Sequence, residues 1–509
     1  MATIVDTASG KLEGGPGRLP GVVAFKGIPY AQPPVGKLRF RAPEPPLPWA
    51  GVRPALEYGK SAPQPEGAGT MPGIPFAEQD EDCLTLNVWT PAADDGKRPV
   101  MVWIHGGAYV TGAGSQKWYD GSLLAQRGDV VVVTINYRLG ALGFLPLHRV
   151  GVEADANVGL VDQVAALRWV AANISAFGGD ADNVTIFGES AGAMSIGTQL
   201  GVPASDGLFH RAILQSGTGV YVSDAERATR TAEHFLGEVG LTRADAHKVR
   251  DLPMAALVAA TTRTQDALRK KLSRLPFQPE IDGDVLPAPP LDRVVGGASG
   301  DVDILVGTNL DEGNTFNLGD PTFRQLDDAG LVQRWEQSYP GQAQRLVDAL
   351  RDARSARGDG VSPQDLGNSM FADVAFRQPA IELAAAHAAA AASATFMYLF
   401  TWPSPMLEGL LGSCHVVEIP FVFGSLTEPR AAMFVGDGPE ARALATAVQD
   451  AWLSFARTGR PAAPTLPDWP TYDSGRRATM VLGAECRVED DPQQAERLAW
   501  ETVGQDARK

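Results

Sequence analysis

Cysteine is scarce in this 509-residue chain: Cys83, Cys414 and Cys486 are the only three. Three thiols exclude a disulfide framework, and no short cluster of Cys and His offers a metal site. Basic residues are outnumbered, 44 Lys and Arg against 60 Asp and Glu, for a net charge of −16. Such a surface repels phosphate backbones and argues against a nucleic-acid partner. Long apolar runs are missing too. The most membrane-like stretch, 383–400, is mostly alanine and carries His387, Ser393 and Thr395. It reads as a helix over about 379–391 running into a buried strand over 394–400, not as a membrane span. The first residues show neither the basic nor the apolar stretch of a secretory signal, which predicts a cytoplasmic, reducing location. Histidine is rare as well, with seven in all.

What remains is ordinary globular composition, 44% apolar and 20% charged, in a chain long enough to bury a large core. The first 60 residues are rich in Gly and Pro and read as hairpins and loops. Apolar runs of strand length follow at Val100–Ile104, Asp129–Ile135, Asn183–Phe187, Arg211–Gln215 and Asp303–Gly307. Continuous runs, as opposed to alternating ones, suit strands covered on both faces. Helical spacing occupies Asp162–Ile174, and a small-residue helix follows Gly188–Gly192 to about Leu200. Strands alternating with helices predict an α/β fold with a mostly parallel sheet. Residues 222–275 and 320–390 are charged and helix-like, and are expected to form insertions over the sheet as a lid or flanking layer. No repeat or linker divides the chain, so residues 1–509 read as one domain.

Gly188–Gly192 reads G-E-S-A-G, the only G-x-S-x-G match in the chain. The pattern places a serine on a sharp strand-to-helix turn, its Oγ exposed at the positive end of a helix. Here Ser190 lies between a predicted strand and a predicted helix, as that mechanism requires. His105, Gly106 and Gly107 follow another strand. Glycines there let backbone N–H groups approach a developing alkoxide, and the N–H of Ala191 would complete an oxyanion hole.

These motifs, with others along the chain, resemble the type-B carboxylesterase family of α/β-hydrolases, which includes the cholinesterases. The similarity is closest to its bacterial para-nitrobenzyl esterase branch. The resemblance rests on Phe25–Gly36 with Leu38–Phe40, Glu81–Val88, Trp103–Ala108, Asn136–Gly140, Asn157–Gln163 and Ile174–Gly192. Shorter matches follow at Gln215–Gly217, Ile281–Gly283, Gly307–Asn309, Asp311–Gly313 and Glu418–Gly424. It implies an α/β-hydrolase fold, a Ser190–Glu312–His415 triad and no cofactor. The order Ser, acid, His is that of α/β-hydrolases. His148 and His210 precede the acid, and His234, His247 and His387 sit on helix-like segments where a solvated ring is expected. Asp311 remains the competitor of Glu312.

The resemblance further implies Ser216 as a support for the acid, Glu81 with Arg138 as a structural ion pair, and Cys83 without a disulfide partner, since Ser61–Gln64 stands where relatives carry an upstream cysteine. Tyr109, Met194, Phe316 and Phe421 adjoin the catalytic segments and are candidate pocket walls. The expected reaction is hydrolysis of small to medium uncharged esters through an acyl-enzyme. Carbamate or amide hydrolysis by the same triad, and a non-catalytic binding role, stay open at this point. Neither a monomer nor a dimer is favoured by the residues.

Overall fold

The computed structural model describes residues 3–65, 78–272 and 275–503. The chain ends and residues 273–274 of the 222–275 segment lie outside the described residues. Thirteen strands are present among them: β1 (Thr3–Thr7), β2 (Gly10–Pro16), β3 (Val23–Pro29), β4 (Val52–Pro54), β5 (Thr85–Thr90), β6 (Arg98–Ile104), β7 (Val131–Ile135), β8 (Gly179–Glu189), β9 (Arg211–Gln215), β10 (Asp303–Asn309), β11 (Thr395–Phe400), β12 (Ala478–Leu482) and β13 (Arg487–Asp490). They form one sheet in the order β1-β2-β3-β5-β7-β6-β8-β9-β10-β11-β12-β13, with β4 beside β2. From β7 to β12 every pairing is parallel; the outer pairings are antiparallel except that of β4 with β2, which is parallel.

The apolar runs are the centre of this sheet because both of their faces are covered. One face carries Val100, Val102, Ile104, Ile186, Leu214 and Val306 into one core; the other carries Met101, Trp103, Phe187, Ile213 and Leu305 into a second. Helices α1 (Val158–Asn173) and α2 (Ala191–Gln199) pack on the first side. α1 begins four residues before the predicted start. Asn157 enters it at φ 53°, and its amide is held by the backbone of Glu280 through two hydrogen bonds of 2.8 and 2.9 Å. That long-range clamp is invisible to a local pattern.

The first predicted insertion holds α3 (Ala225–Glu238) and α4 (Met254–Leu272). The second holds α5 (Ala343–Arg357), α6 (Pro363–Ala372) and α7 (Gln378–Ala390). α8 (Pro439–Thr458) covers the second face with Leu444, Val448, Trp452 and Phe455, and α9 (Gln494–Glu501) closes the described chain.

Two expectations are corrected. Glu81 pairs with Arg39, whose Nε is 2.7 Å from Glu81 Oε2, while Arg138 pairs with Asp162 through Nε and Nη2 at 2.8 and 2.7 Å. Two charges shared between motifs do not say which partner packing brings near. His387 is buried, not solvated: its Nδ1 lies 2.8 Å from Thr395 Oγ1. The alanines around it let α7 pack closely enough on the sheet to enclose the ring. No helix among the described residues is long and apolar enough to cross a membrane.

Candidate active site

Every site candidate on a loop lies at the C-terminal ends of the parallel strands, where ligands bind in sheets of this kind. β8 ends at Glu189, Ser190 takes φ 54° and ψ −125°, and α2 begins at Ala191. A serine at positive φ is strained, and neighbours hold it there. Its N–H donates to Gln215 O at 2.9 Å, and its carbonyl accepts from Met194 N–H at 2.8 Å. The flanking glycines follow from close approach. A Cβ on Gly188 would stand 2.6 Å from the carbonyl oxygen of Ile104, and one on Gly192 would overlap that same oxygen.

Gly106 leans directly on this turn, since a Cβ on it would lie 3.0 Å from Cβ of Ser190. Gly107, Ala108 and Tyr109 all have positive φ, and a Cβ on Gly107 would overlap Thr111 O. The backbone N–H groups of Gly106 and Gly107 meet no acceptor among the described residues. With the first N–H of α2 at Ala191, they are the expected oxyanion donors, and Gly106 adjoins Ser190. His105 stiffens the loop. Its ring stacks on Tyr137 at 4.5 Å, Tyr137 Oη donates to His105 O at 2.8 Å, and burial lowers its pKa to about 4, so it stays neutral.

The imidazole of His415 lies between two buried carboxylates. Nδ1 is 2.6 Å from Glu312 Oε2, and Nε2 is 3.1 Å from Glu189 Oε1. Burial alone would lower its pKa, but the charges of Glu189 and Glu312 outweigh this and push it up to about 9. Burial pushes the Glu189 carboxyl well above the usual carboxylate range against the pull of His415, so the two groups compete for one proton. Asp311 does not reach the ring. Its Oδ2 accepts from Ser413 N–H at 2.8 Å and so secures the loop that carries His415.

Glu312 is held by a residue other than the one expected. Its Oε1 accepts from Asn309 N–H at 2.8 Å, whereas Ser216 Oγ, buried, has no hydrogen-bond partner among the described residues. Asn309 serves two carboxylates, because its Nδ2 donates to Glu418 Oε2 at 2.7 Å; Gln215 Nε2 donates to the other oxygen at 2.9 Å. Glu189, Asn309 and Glu418 were not singled out from the residues. Glu189 occupies a variable position of G-x-S-x-G, and Glu418 opens a matched block, but only contact shows that their charges converge.

The expected pocket walls separate. Phe316 packs on His415 with ring centres 4.9 Å apart, and Met194 is buried on α2, four residues past Ser190. Tyr109 is buried against Phe144 at 4.8 Å, and Phe421 packs on Phe400 and Trp402 at 5.2 and 5.7 Å. Phe376, not expected, also lies 4.9 Å from the His415 ring.

Known proteins resemble this chain over nearly its whole length. The family described as the carboxylesterase family matches residues 1–500. A para-nitrobenzyl esterase of Bacillus subtilis (strain 168) is 39% identical, over 97% of this chain and 97% of its own length. A phenmedipham hydrolase of Pseudarthrobacter oxydans is also 39% identical, over 91% of this chain and 92% of its own. The crystal structure of a Geobacillus stearothermophilus carboxylesterase superposes with a TM-score of 0.86 at 41% identity, covering 98% of this chain and 100% of that one. The fold is that of the α/β-hydrolases. The chain therefore belongs to the carboxylesterase family and is a carboxylic ester hydrolase.

Proposed function

We propose that the chain hydrolyses small to medium uncharged aryl, benzyl or alkyl esters through an acyl-enzyme on Ser190. The observation that carries this is the Glu312–His415 contact of 2.6 Å, with Nε2 on the far side of the imidazole 3.1 Å from Oε1 of Glu189, the residue before Ser190 in the chain. His415 takes the Ser190 proton as Oγ attacks the ester carbonyl, then gives it to the leaving alcohol. Glu312 holds the tautomer and balances the imidazolium. The N–H groups of Gly106, Gly107 and Ala191 receive the oxyanion. Water repeats the cycle on the acyl-enzyme. Phe316 and Met194 form pocket walls, while Tyr109 and Phe421 pack elsewhere in the core.

The working unit on this reading is a single domain, 1–509, and the strand order supports it, since one sheet runs from β1 to β13. A reducing, cytoplasmic location is supported by the three free cysteines, two of them buried. The substrate is a small molecule, and the charge of −16 favours no nucleic acid as a partner.

The test is Ser190→Ala assayed on p-nitrophenyl butyrate. Loss of the nucleophile should lower kcat by about 10⁴ or more, with an unchanged thermal melt. Near-normal turnover would remove Ser190 from the mechanism. The same triad chemistry could open a carbamate or an amide, and a panel of leaving groups on the native enzyme separates these from esters.

A further inference from the structure

The helical layer over residues 363–390 is not one continuous helix. Between α6 and α7 a single π turn spans Asp373–Arg377. Such turns widen a helix by one residue and recur at functional sites. This one turns two faces to two different places. Towards the site it presents Phe376, whose ring lies 4.9 Å from His415 and 5.9 Å from Phe316, which itself lies 4.9 Å from His415. The three rings form a triangle. Away from the site the turn is tied to the end of the chain. Trp500 Nε1 donates to Asp373 Oδ2 at 2.8 Å, and Arg377 Nη2 donates to Pro492 O at 2.7 Å. All four of Asp373, Phe376, Arg377 and Trp500 are buried.

The C-terminal segment is itself well anchored. Trp500 packs on Tyr339 and Trp335 with ring centres 5.5 and 6.2 Å apart. Glu496 pairs with Arg357 on α5. Residues 491–503 thus reach the aromatic triangle through the π turn without entering the site.

Chemistry says which part of a substrate meets these rings. The leaving alcohol must come within hydrogen-bond reach of His415 to take its proton. Rings packed on the imidazole therefore border the alcohol group, while the acyl group lies towards the oxyanion donors. We propose that Phe376 is a specificity-determining residue for the alcohol part of the ester, and that Trp500, through Asp373, is the positioning residue that holds it there. The proposal rests on the roles of Ser190 and His415 given above.

The experiment compares kcat/KM on two panels. One varies the alcohol at constant acyl group (methyl, hexyl and benzyl butyrate, followed by acid release). The other varies the acyl group at constant p-nitrophenol (acetate, butyrate, octanoate). Phe376→Ala should lower benzyl relative to methyl butyrate about tenfold, since an aromatic partner is lost, and move the acyl panel less than twofold. Phe376→Leu, a milder change, should shift the alcohol ratio in the same direction and serves if the alanine variant does not fold. Trp500→Phe keeps the packing on Tyr339 and Trp335 but removes the N–H donor. It should shift the alcohol ratio the same way, by about threefold. An unmoved alcohol ratio in both Phe376 variants overturns the proposal. A Trp500→Phe enzyme that melts lower but keeps its ratio overturns the positioning half. A Ser190→Ala enzyme that still turns over points instead to failure of the site assignment.

Discussion

Glu189 Oε1 stands 3.1 Å from Nε2 of His415, on the opposite side of the ring from Glu312. The residue next to the candidate nucleophile thus places a second buried carboxylate on the candidate base. Each carboxylate favours the imidazolium when ionised, and burial raises the Glu189 carboxyl so that it shares one proton with the ring; this has a direct consequence for pH dependence.

His415 must be unprotonated to accept the Ser190 proton. Its pKa is raised to about 9, so the deprotonated form appears only as pH climbs past the ordinary histidine range. kcat/KM should rise with pH along a limb centred above 6.5. Glu189→Gln removes one charge that stabilises the imidazolium, so the limb should move towards lower pH. The check is a profile from pH 5 to about 10, corrected for spontaneous hydrolysis. A native midpoint at or below 6.5 that Glu189→Gln leaves in place would contradict the account.

The acid is tested by a pair of neighbours. Glu312→Gln keeps the shape but can present an NH₂ group to Nδ1 and favour the wrong tautomer. A comparable acid-to-amide change in a serine protease costs about 10⁴ in kcat. A loss of roughly 10²–10⁴ is expected here, since Asn309 N–H still holds the remaining oxygen. Asp311→Asn should cost far less, because Asp311 bonds the backbone of Ser413 and not the ring. Both variants are measured on one ester, and a dead Asp311→Asn beside an active Glu312→Gln would reverse the assignment.

Stability should depend strongly on the Arg138–Asp162 pair. Both side chains are buried, and Asp162 accepts from Nε, Nη2 and the backbone N–H of Arg138 at 2.8, 2.7 and 3.0 Å. Asp162→Ala would strand the guanidinium in the core. Breaking a buried pair in this way costs about 3–5 kcal/mol. A lowered midpoint in thermal or urea unfolding is the expected readout, and an unchanged midpoint would show the pair to be dispensable.

Much of this protein was legible without coordinates. The apolar runs at Val100–Ile104 and Arg211–Gln215 are strands, as their short length and unbroken apolar character suit a sheet covered on both faces. G-x-S-x-G reported a turn with no room for side chains, although what crowds it is tertiary: Gly188 and Gly192 each lie against the carbonyl of Ile104 on the adjacent strand. The helices within 222–275 and 320–390 were visible as charged helical stretches, although the π turn inside the second was not.

Partnership was decided by the tertiary structure alone. Glu81 met Arg39, not Arg138, and His387 was enclosed by packing that no period in its own helix announces. The family resemblance named Glu312, but the residues themselves left Asp311 open, and packing is what turns Glu312 to His415. Glu189 became a neighbour of a histidine more than two hundred residues away. Backbone sterics and apolar periodicity act over a few residues, so a sequence states them directly. The distance between two charges is set by how the sheet and its covering helices pack, and that is specified only when the whole chain has folded.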